Sequence, residues 1–207
     1  MDTPHGSSST SNDSEEAPSH VAQHEPAPRG AGAALAGFTA LLVVVLLLVG
    51  VLSRDGSGDL SPLADVQVFD VVSREHVKGS IQYPQSPPVG GAHAAVWQNC
   101  GFYRSPVPDE QAVHSLEHGA VWITYQPGIA PAEQARLREL AQSDSHILAS
   151  SVEGLSAPVV AIAWGRQLDL QGAGDERLEA FVDAYRTGPQ TPEPGAPCSG
   201  GAGQPTG

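Results

Sequence analysis

The pattern of hydrophobic positions divides the chain into one long apolar run, a folded part and polar flanks. Residues 33–52 form the apolar run AALAGFTALLVVVLLLVGVL. As a helix it would be about 30 Å long, which matches the hydrocarbon core of a bilayer. The run is too long for a typical signal-peptide core, and the segment before it is acidic rather than basic. We therefore predict one transmembrane helix over residues 31–53.

The segments on either side of this helix differ in composition. Residues 1–30 are rich in Ser, Pro and Glu and lack apolar periodicity, which predicts a disordered acidic tail. Residues 54–62 have the Gly/Ser/Asp composition of a flexible linker. All three tryptophans and all four tyrosines lie within residues 63–186, which predicts one globular domain there. Residues 187–207 form a Pro/Gly-rich tail.

Periodicity within the globular part predicts both strands and helices. Alternating apolar positions predict a strand at residues 66–72. Runs of β-branched and aromatic residues predict four more strands, at residues 120–125, 146–150, 159–164 and 167–170. Amphipathic spacing predicts three helices, at about residues 110–118, 131–143 and 175–186. The first of these helices has Asp109 as its expected N-cap and Gly119 as its expected stop.

The order of these elements predicts the fold class. Strands joined through a helix favour a mixed sheet covered by helices, so we predict an α/β (α+β) two-layer domain with a small mixed sheet and flanking helices. The order after residue 120 resembles the second half of a thioredoxin-like fold, with Pro158 before its third strand. Residues 126–128 (Gln-Pro-Gly) stand where a redox C-x-x-C would be, so thioredoxin chemistry is not implied. A generic α+β sandwich is the alternative.

Charge and sulfur content narrow the classes of function. A net charge of -13, from 10 Lys+Arg and 23 Asp+Glu, argues against nucleic acid as a partner. Met1 is the only methionine, which excludes a thioether-rich copper(I) site.

The two cysteines bear on the compartment. Cys100 and Cys198 are too far apart in sequence for a C-x-x-C motif, and in an exported domain they predict a disulfide. Two free thiols, one of them a ligand for copper or zinc, are the alternative. The disulfide favours a cell-membrane protein with a cytoplasmic N-terminus and an extracytoplasmic C-terminal domain.

The candidate chemistry is concentrated before the predicted core strand at residues 120–125. A helix places His114 and His118 four residues apart on one face, with Glu117 beside them. His93 follows a stiff loop, YPQSPPVGG, at residues 83–91. Neutral imidazoles suit zinc or copper(II). We therefore predict a transition-metal site formed by His93, His114, His118 and Glu117.

The same residues also fit a domain without a metal. In that alternative the histidines are structural, and the domain is a non-catalytic envelope module that binds a protein or a small ligand. Four aromatic residues are candidates to line such a pocket: Trp97, Tyr103, Trp122 and Trp164. Tryptophans beside strands also commonly pack in a core.

A metal-dependent hydrolase is the least favoured function. Residues 114–118 formally match the zinc-protease pattern H-x-x-E-H, but that pattern belongs inside a long helix and Gly119 ends this one at once. Ser115 is not surrounded by the glycine pattern of a nucleophile elbow. No catalytic residue is assigned, and the residues favour a protein that is not an enzyme.

Three short stretches carry a resemblance to a known family. The string AVHSLEHGAV at residues 112–121, with GAH at residues 91–93, Trp97 and AWG at residues 163–165, resembles the domain of unknown function 3105 family (DUF3105). The resemblance covers residues 65–198 and implies one membrane helix and an exported domain in a high-GC Gram-positive bacterium. The family's Pro-Pro-x-Ser-Gly-x-His stretch is only partly present, because Gly90 stands in place of the serine.

Overall fold

A computed structural model of the chain describes residues 61–206. The expected tail at residues 1–30, the membrane helix at residues 31–53 and most of the linker at residues 54–62 lie outside that range. Among the residues described, no helix has both the length and the apolar character needed to cross a membrane.

The centre of the described part is a six-stranded mixed sheet with the strand order β1-β6-β5-β3-β4-β2. In chain order its strands are β1 (Gln67–Val68), β2 (Gly101–Phe102), β3 (Val121–Tyr125), β4 (Ile147–Ser151), β5 (Val159–Ala163) and β6 (Arg166–Leu170). The β4 strand is parallel to β3 and β2, whereas β5 is antiparallel to β3 and β6. The short β1 strand adds to the edge at β6.

The three central strands are buried on both faces. Every residue of β3, β4 and β5 is buried, including the polar Thr124, Ser150 and Ser151, and the sequence of β5 is entirely apolar. Alternate residues contribute to two separate cores. Ile123 lies opposite Ala149 and Ala161 in one core, and Trp122 lies opposite Leu148 and Ile162 in the other.

Three helices cover the two faces of this sheet. In chain order they are α1 (Asp109–Glu117), α2 (Pro131–Ser143) and α3 (Arg177–Tyr185). Leu137 of α2 and Phe181 of α3 pack in the core that contains Ile123, whereas Leu116 of α1 packs in the core that contains Trp122. The mixed α+β class is confirmed, but the prediction of two layers is wrong because helices lie on both faces.

Helix α1 is unusual for the number of polar side chains that it buries. Six of its nine residues are buried, and they include His114, Ser115 and Glu117. The helix ends at Glu117 with His118 as its C-cap, and Gly119 follows with a φ of 102°, the left-handed conformation expected of a glycine stop. Pro108, rather than the predicted Asp109, occupies the N-cap position.

Two predicted elements are shorter in the structure. The strand predicted at residues 66–72 is reduced to the two residues of β1, because only Gln67 and Val68 pair with β6. Val72 is 97% exposed, so its apolar side chain contributes nothing to the core. Helix α3 begins at Arg177 rather than at residue 175, whereas the bounds of α2 are as predicted.

The segment after α3 folds back against α1. Backbone N–H groups of Glu193 and Gly195 donate to the carbonyl oxygens of Glu117 and His118, at 3.0 Å each. These carbonyls lie at the end of α1, where a helix leaves its last acceptors without internal partners. The returning segment therefore completes the end of the helix that carries the predicted site.

Candidate functional site

His93 is held at the site by the loop that precedes it. Its backbone is bonded to the segment at residues 75–77: His93 N–H donates to the Glu75 carbonyl at 3.0 Å, and its own carbonyl accepts from Val77 N–H at 2.8 Å. Gly90 and Gly91 have φ values of 149° and 119°, which residues with a Cβ rarely adopt. The glycine turn and the two backbone hydrogen bonds fix the backbone of His93, whose side chain is fully buried.

Three imidazoles at the site have one ring nitrogen fixed by a backbone carbonyl. The Nδ1 atoms of His93, His114 and His118 lie 2.8, 2.7 and 2.7 Å from carbonyl oxygens of Gly91, Ala94 and Pro197. A carbonyl oxygen only accepts hydrogen bonds, so each Nδ1 carries the proton. Each neutral ring therefore leaves a free lone pair on Nε2.

The Nε2 side of His93 meets a carboxylate. His93 Nε2 lies 2.9 Å from Oε2 of Glu117, which is itself nearly fully buried. Despite this short distance, the geometry is not that of a hydrogen bond, and His93 Nε2 is a buried atom without a hydrogen-bond partner. Buried polar atoms are nearly always paired, so this one calls for an explanation.

A similar conflict exists between His114 and His118. Their Nε2 atoms are 3.0 Å apart. With both protons on Nδ1, two lone pairs face each other at this distance unless a proton or a cation lies between them. Burial lowers the pKa of His114 from 6.5 to about 4. The hydrogen bond to the Ala94 carbonyl raises this pKa, whereas the nearby imidazoles of His118, His93 and His76 lower it further.

His76 is a fourth imidazole at the site and was not predicted from the sequence. It pairs with His93 in a parallel bridge, and its ring stacks on that of His114 with 4.8 Å between centroids. Its Nε2 lies 3.9 Å from Oε2 of Glu117, and half of its side chain is exposed. The bridge connects residues 17 positions apart, so no local spacing marks His76. The only feature of the sequence that marks His76 is that it is a histidine within the folded part of the chain.

Together these side chains form a compact set of potential metal ligands. One ligand atom from each of His76, His93, His114 and Glu117 lies within 4.8 Å of the others. Three of the four residues predicted from the sequence are in this set. The fourth, His118, lies outside it but contacts it through His114, and Glu193 Oε2 lies 3.9 Å from its Nε2.

The four aromatic pocket candidates fall into two groups. Trp122 is fully buried in the core and donates to Ser150 Oγ at 2.9 Å, and buried Tyr103 donates to the Asn99 carbonyl at 2.8 Å. Trp97 and Trp164 flank the histidines instead. The Trp97 ring lies 4.9 Å from that of His118, and the Trp164 ring lies 6.1 Å from that of His93.

The structure also shows what the two cysteines and the hydroxyl of Ser115 bond to. Cys100 and Cys198 form the predicted disulfide, with Cα atoms 5.3 Å apart, so neither sulfur is a free thiolate ligand. Ser115 Oγ donates to the carbonyl of Gln98 at 2.7 Å, and the residue is fully buried. Its hydroxyl is thus engaged with the backbone rather than with a histidine.

The sequence profile of DUF3105, described as a protein of unknown function, matches residues 76–200. This is more than half of the chain, and the chain belongs to that family. The match contains all four residues of the ligand set and both cysteines. No curated protein matches the chain, and no solved structure does.

Proposed function

We propose that this protein binds one divalent transition-metal ion, zinc or copper(II), through His76, His93, His114 and Glu117. The observation that carries the proposal is the orientation of the imidazoles. The rings of His93 and His114, and that of the neighbouring His118, donate Nδ1–H to backbone carbonyls and turn Nε2 inward, which is the nitrogen that a neutral imidazole offers to a metal. Metal-binding histidines nearly always hold their second nitrogen in this way, since it fixes the tautomer and the ring orientation.

Charge supports a cation at this position. The Glu117 side chain is 5% exposed, and within residues 61–206 its only basic neighbours within 4.0 Å are imidazoles. A buried carboxylate is costly unless it is paired or coordinates a metal. A divalent cation would neutralise this charge and would also take up the free lone pairs of His93 and His114.

The ligand chemistry favours a borderline metal. A set of imidazoles and one carboxylate, without a free thiolate, suits zinc, copper(II) or nickel rather than copper(I). Two ligands with bonds of about 2.1 Å are about 3.4 Å apart at the tetrahedral angle of zinc and about 3.0 Å apart at the right angle of a square-planar copper(II) site. The His114–His118 separation of 3.0 Å fits the copper(II) angle, so His118 is a candidate additional ligand.

Solvent access and the engagement of Ser115 bear on the role of the site. The ligand set has one side open to solvent, at His76, whereas His93, His114 and Glu117 are buried. Ser115 is not available as a nucleophile because its hydroxyl donates to a backbone carbonyl. We infer a non-catalytic metal-binding domain, with exchange of the ion through the His76 side.

We also propose that the domain is exported and anchored by one helix at residues 31–53, with a cytoplasmic N-terminus. The length of the apolar run supports the anchor. The disulfide supports an oxidising compartment such as the outer side of a bacterial membrane. A thioredoxin-like ancestry is supported by parallel β3 and β4 joined through α2 and by the following β5–β6 hairpin.

Zinc titration of the full chain in a zwitterionic detergent, against a chromophoric chelator, tests the metal site. We expect one ion per chain, and we expect His93→Gln to weaken its affinity at least about 100-fold, because it removes a buried ligand. His146→Gln is the matched control. His146 also lies in the folded part of the chain, but it is outside the ligand set, and its ring nitrogens contact Ser145 and the Ala196 carbonyl. Equal affinities of wild type and His93→Gln would overturn the proposal.

A further inference from the structure

Residues 193–203 form a strap across the His118 side of the histidine cluster. The backbone of the strap donates to the His118 carbonyl at 3.0 Å, and the Pro197 carbonyl accepts from His118 Nδ1 at 2.7 Å. Gly201 lies against Trp97, since a Cβ built on this glycine would be 2.7 Å from Trp97 Nε1. The strap therefore contacts the two rings on this side of the cluster and orients the imidazole of His118.

The strap is attached to the rest of the domain through its backbone and through one disulfide. Between residues 192 and 206 the only buried residue is Cys198, which is 4% exposed. No side chain of the strap belongs to either of the two hydrophobic cores of the described part. Backbone hydrogen bonds that are not supported by apolar packing open at a low cost in free energy. We therefore expect the Cys100–Cys198 bond to be the main constraint on the strap.

The two sulfurs of this bond differ in their surroundings. Cys100 is partly exposed, whereas Cys198 is buried, so a thiolate can begin the exchange at Cys100. Attack by one thiolate of a dithiol on the Cys100 sulfur forms a mixed disulfide and releases Cys198 as a thiolate. The second thiol of the reductant then displaces Cys100. The reductant leaves as a disulfide, and its two protons pass to the two cysteine sulfurs.

We propose that reduction of the Cys100–Cys198 disulfide by a dithiol releases the strap and loosens the hold of the domain on its metal ion. Release removes the carbonyl that keeps His118 Nε2 at 3.0 Å from Nε2 of His114, which is in the ligand set. Hydrogen-bonding partners of this kind raise the metal affinity of a site. The effect on the ion rests on the proposed metal site, whereas the release of the strap does not.

Hydrogen–deuterium exchange of the metal-free full chain in a zwitterionic detergent, before and after reduction with dithiothreitol, tests the release of the strap. We expect strap amides to exchange at least about tenfold faster after reduction, because they lose the cross-link that constrains them. Amides of β3 should keep their protection, since β3 lies in the buried centre of the sheet. Unchanged exchange of the strap, or loss of protection in β3 as well, overturns the proposal.

Release of zinc from the loaded full chain into an excess of a chromophoric chelator tests the effect on the ion. The double variant Cys100→Ser with Cys198→Ser represents the reduced protein without thiols that could bind zinc. We expect it to release zinc at least about tenfold faster than oxidised wild type, because the orientation of His118 is no longer fixed.

Leu137→Ala is the matched control for lost stability. It removes apolar contacts from the core on the other face of the sheet and leaves the disulfide and the strap intact. This variant should release zinc at the wild-type rate. Equal rates from the double variant and oxidised wild type overturn the control of the ion by the strap. A wild type that binds no zinc refutes the proposed metal site instead, and hydrogen exchange then decides whether the strap is released.

Discussion

At the scale of single residues, the proposed site depends on how protons and lone pairs are distributed. The carbonyls of Gly91, Ala94 and Pro197 hold the protonated side of three imidazoles. The Nε2 side of His93 faces Glu117 at 2.9 Å, and the contact does not have hydrogen-bond geometry. A metal ion would satisfy both groups at once, whereas a purely structural pair would require a proton on His93 Nε2.

The variant Glu117→Gln separates these two accounts. If Glu117 is a metal ligand, the variant should bind zinc at least about tenfold more weakly. In the metal-free protein the same change removes a buried charge and should leave the free energy of unfolding unchanged or higher. Zinc competition and urea unfolding with excess chelator measure the two effects.

The structural account predicts the opposite behaviour of the metal-free protein. Loss of one partner from a buried ion pair with protonated His93 would lower the free energy of unfolding by about 3–5 kcal/mol. Such a loss in the presence of chelator, with zinc affinity unchanged, would contradict the role of Glu117 as a ligand.

At the scale of elements, the end of α1 is fixed by Gly119 and by the segment that packs on it. Gly119 has a φ of 102°, and a Cβ built there would lie 2.9 Å from the Cα of Thr187. Thr187 N–H also donates to the Gly119 carbonyl at 2.8 Å. The glycine thus serves both the helix stop and the close approach of the chain after α3.

Gly119→Ala should therefore destabilise the protein by about 1–3 kcal/mol, because alanine would be strained in this conformation and would collide with backbone. Gly128→Ala is the matched control: nothing lies within 4 Å of its added Cβ, and its φ is not in the left-handed region. Urea unfolding of both variants measures the difference. Equal stabilities of the two variants would show that the close approach to Thr187 has no energetic importance.

The disulfide fixes the same returning segment at a second point. Cys198 follows Pro197, whose carbonyl accepts from His118, and its own carbonyl accepts from Cys100 N–H at 2.7 Å. The cross-link closes a loop with a sequence separation of 98.

Replacing both cysteines, Cys100→Ser with Cys198→Ser, should lower the free energy of unfolding by about 2–5 kcal/mol, since the unfolded chain regains the freedom of a long loop. Urea unfolding of the double variant against oxidised wild type measures the loss. Wild type reduced by a phosphine should behave like the double variant. A double variant as stable as the oxidised protein would contradict this expectation.

At the scale of the whole molecule, the sequence predicted what depends on local pattern. The bounds of α2 follow from its proline start and amphipathic spacing, and the core strands follow from runs such as VWITY. The local sequence could not predict that α1 lies on the opposite face of the sheet from α2 and α3. The apolar side of each helix can pack on either sheet face, and the sequence of the helix does not say which.

The candidate site was predictable to the same extent. His114, Glu117 and His118 share one helix, so their proximity follows from helical geometry. His93 was expected from the rigid loop before it, although only tertiary structure brings it to Glu117. His76 was missed because a backbone bridge to His93, rather than any spacing, brings it to the site. The role of the Pro197 carbonyl likewise arises only when the C-terminal segment returns to α1.

The most direct test of the central claim is zinc K-edge X-ray absorption of the full chain loaded with one equivalent of zinc. We predict a first shell of nitrogen and oxygen at about 2.0–2.1 Å, with the outer-shell scattering of at least three imidazoles. His93→Gln should reduce by one the number of imidazole rings that contribute to the outer-shell scattering. A shell containing sulfur at about 2.3 Å, or oxygen without imidazole scattering, would contradict the proposed ligand set.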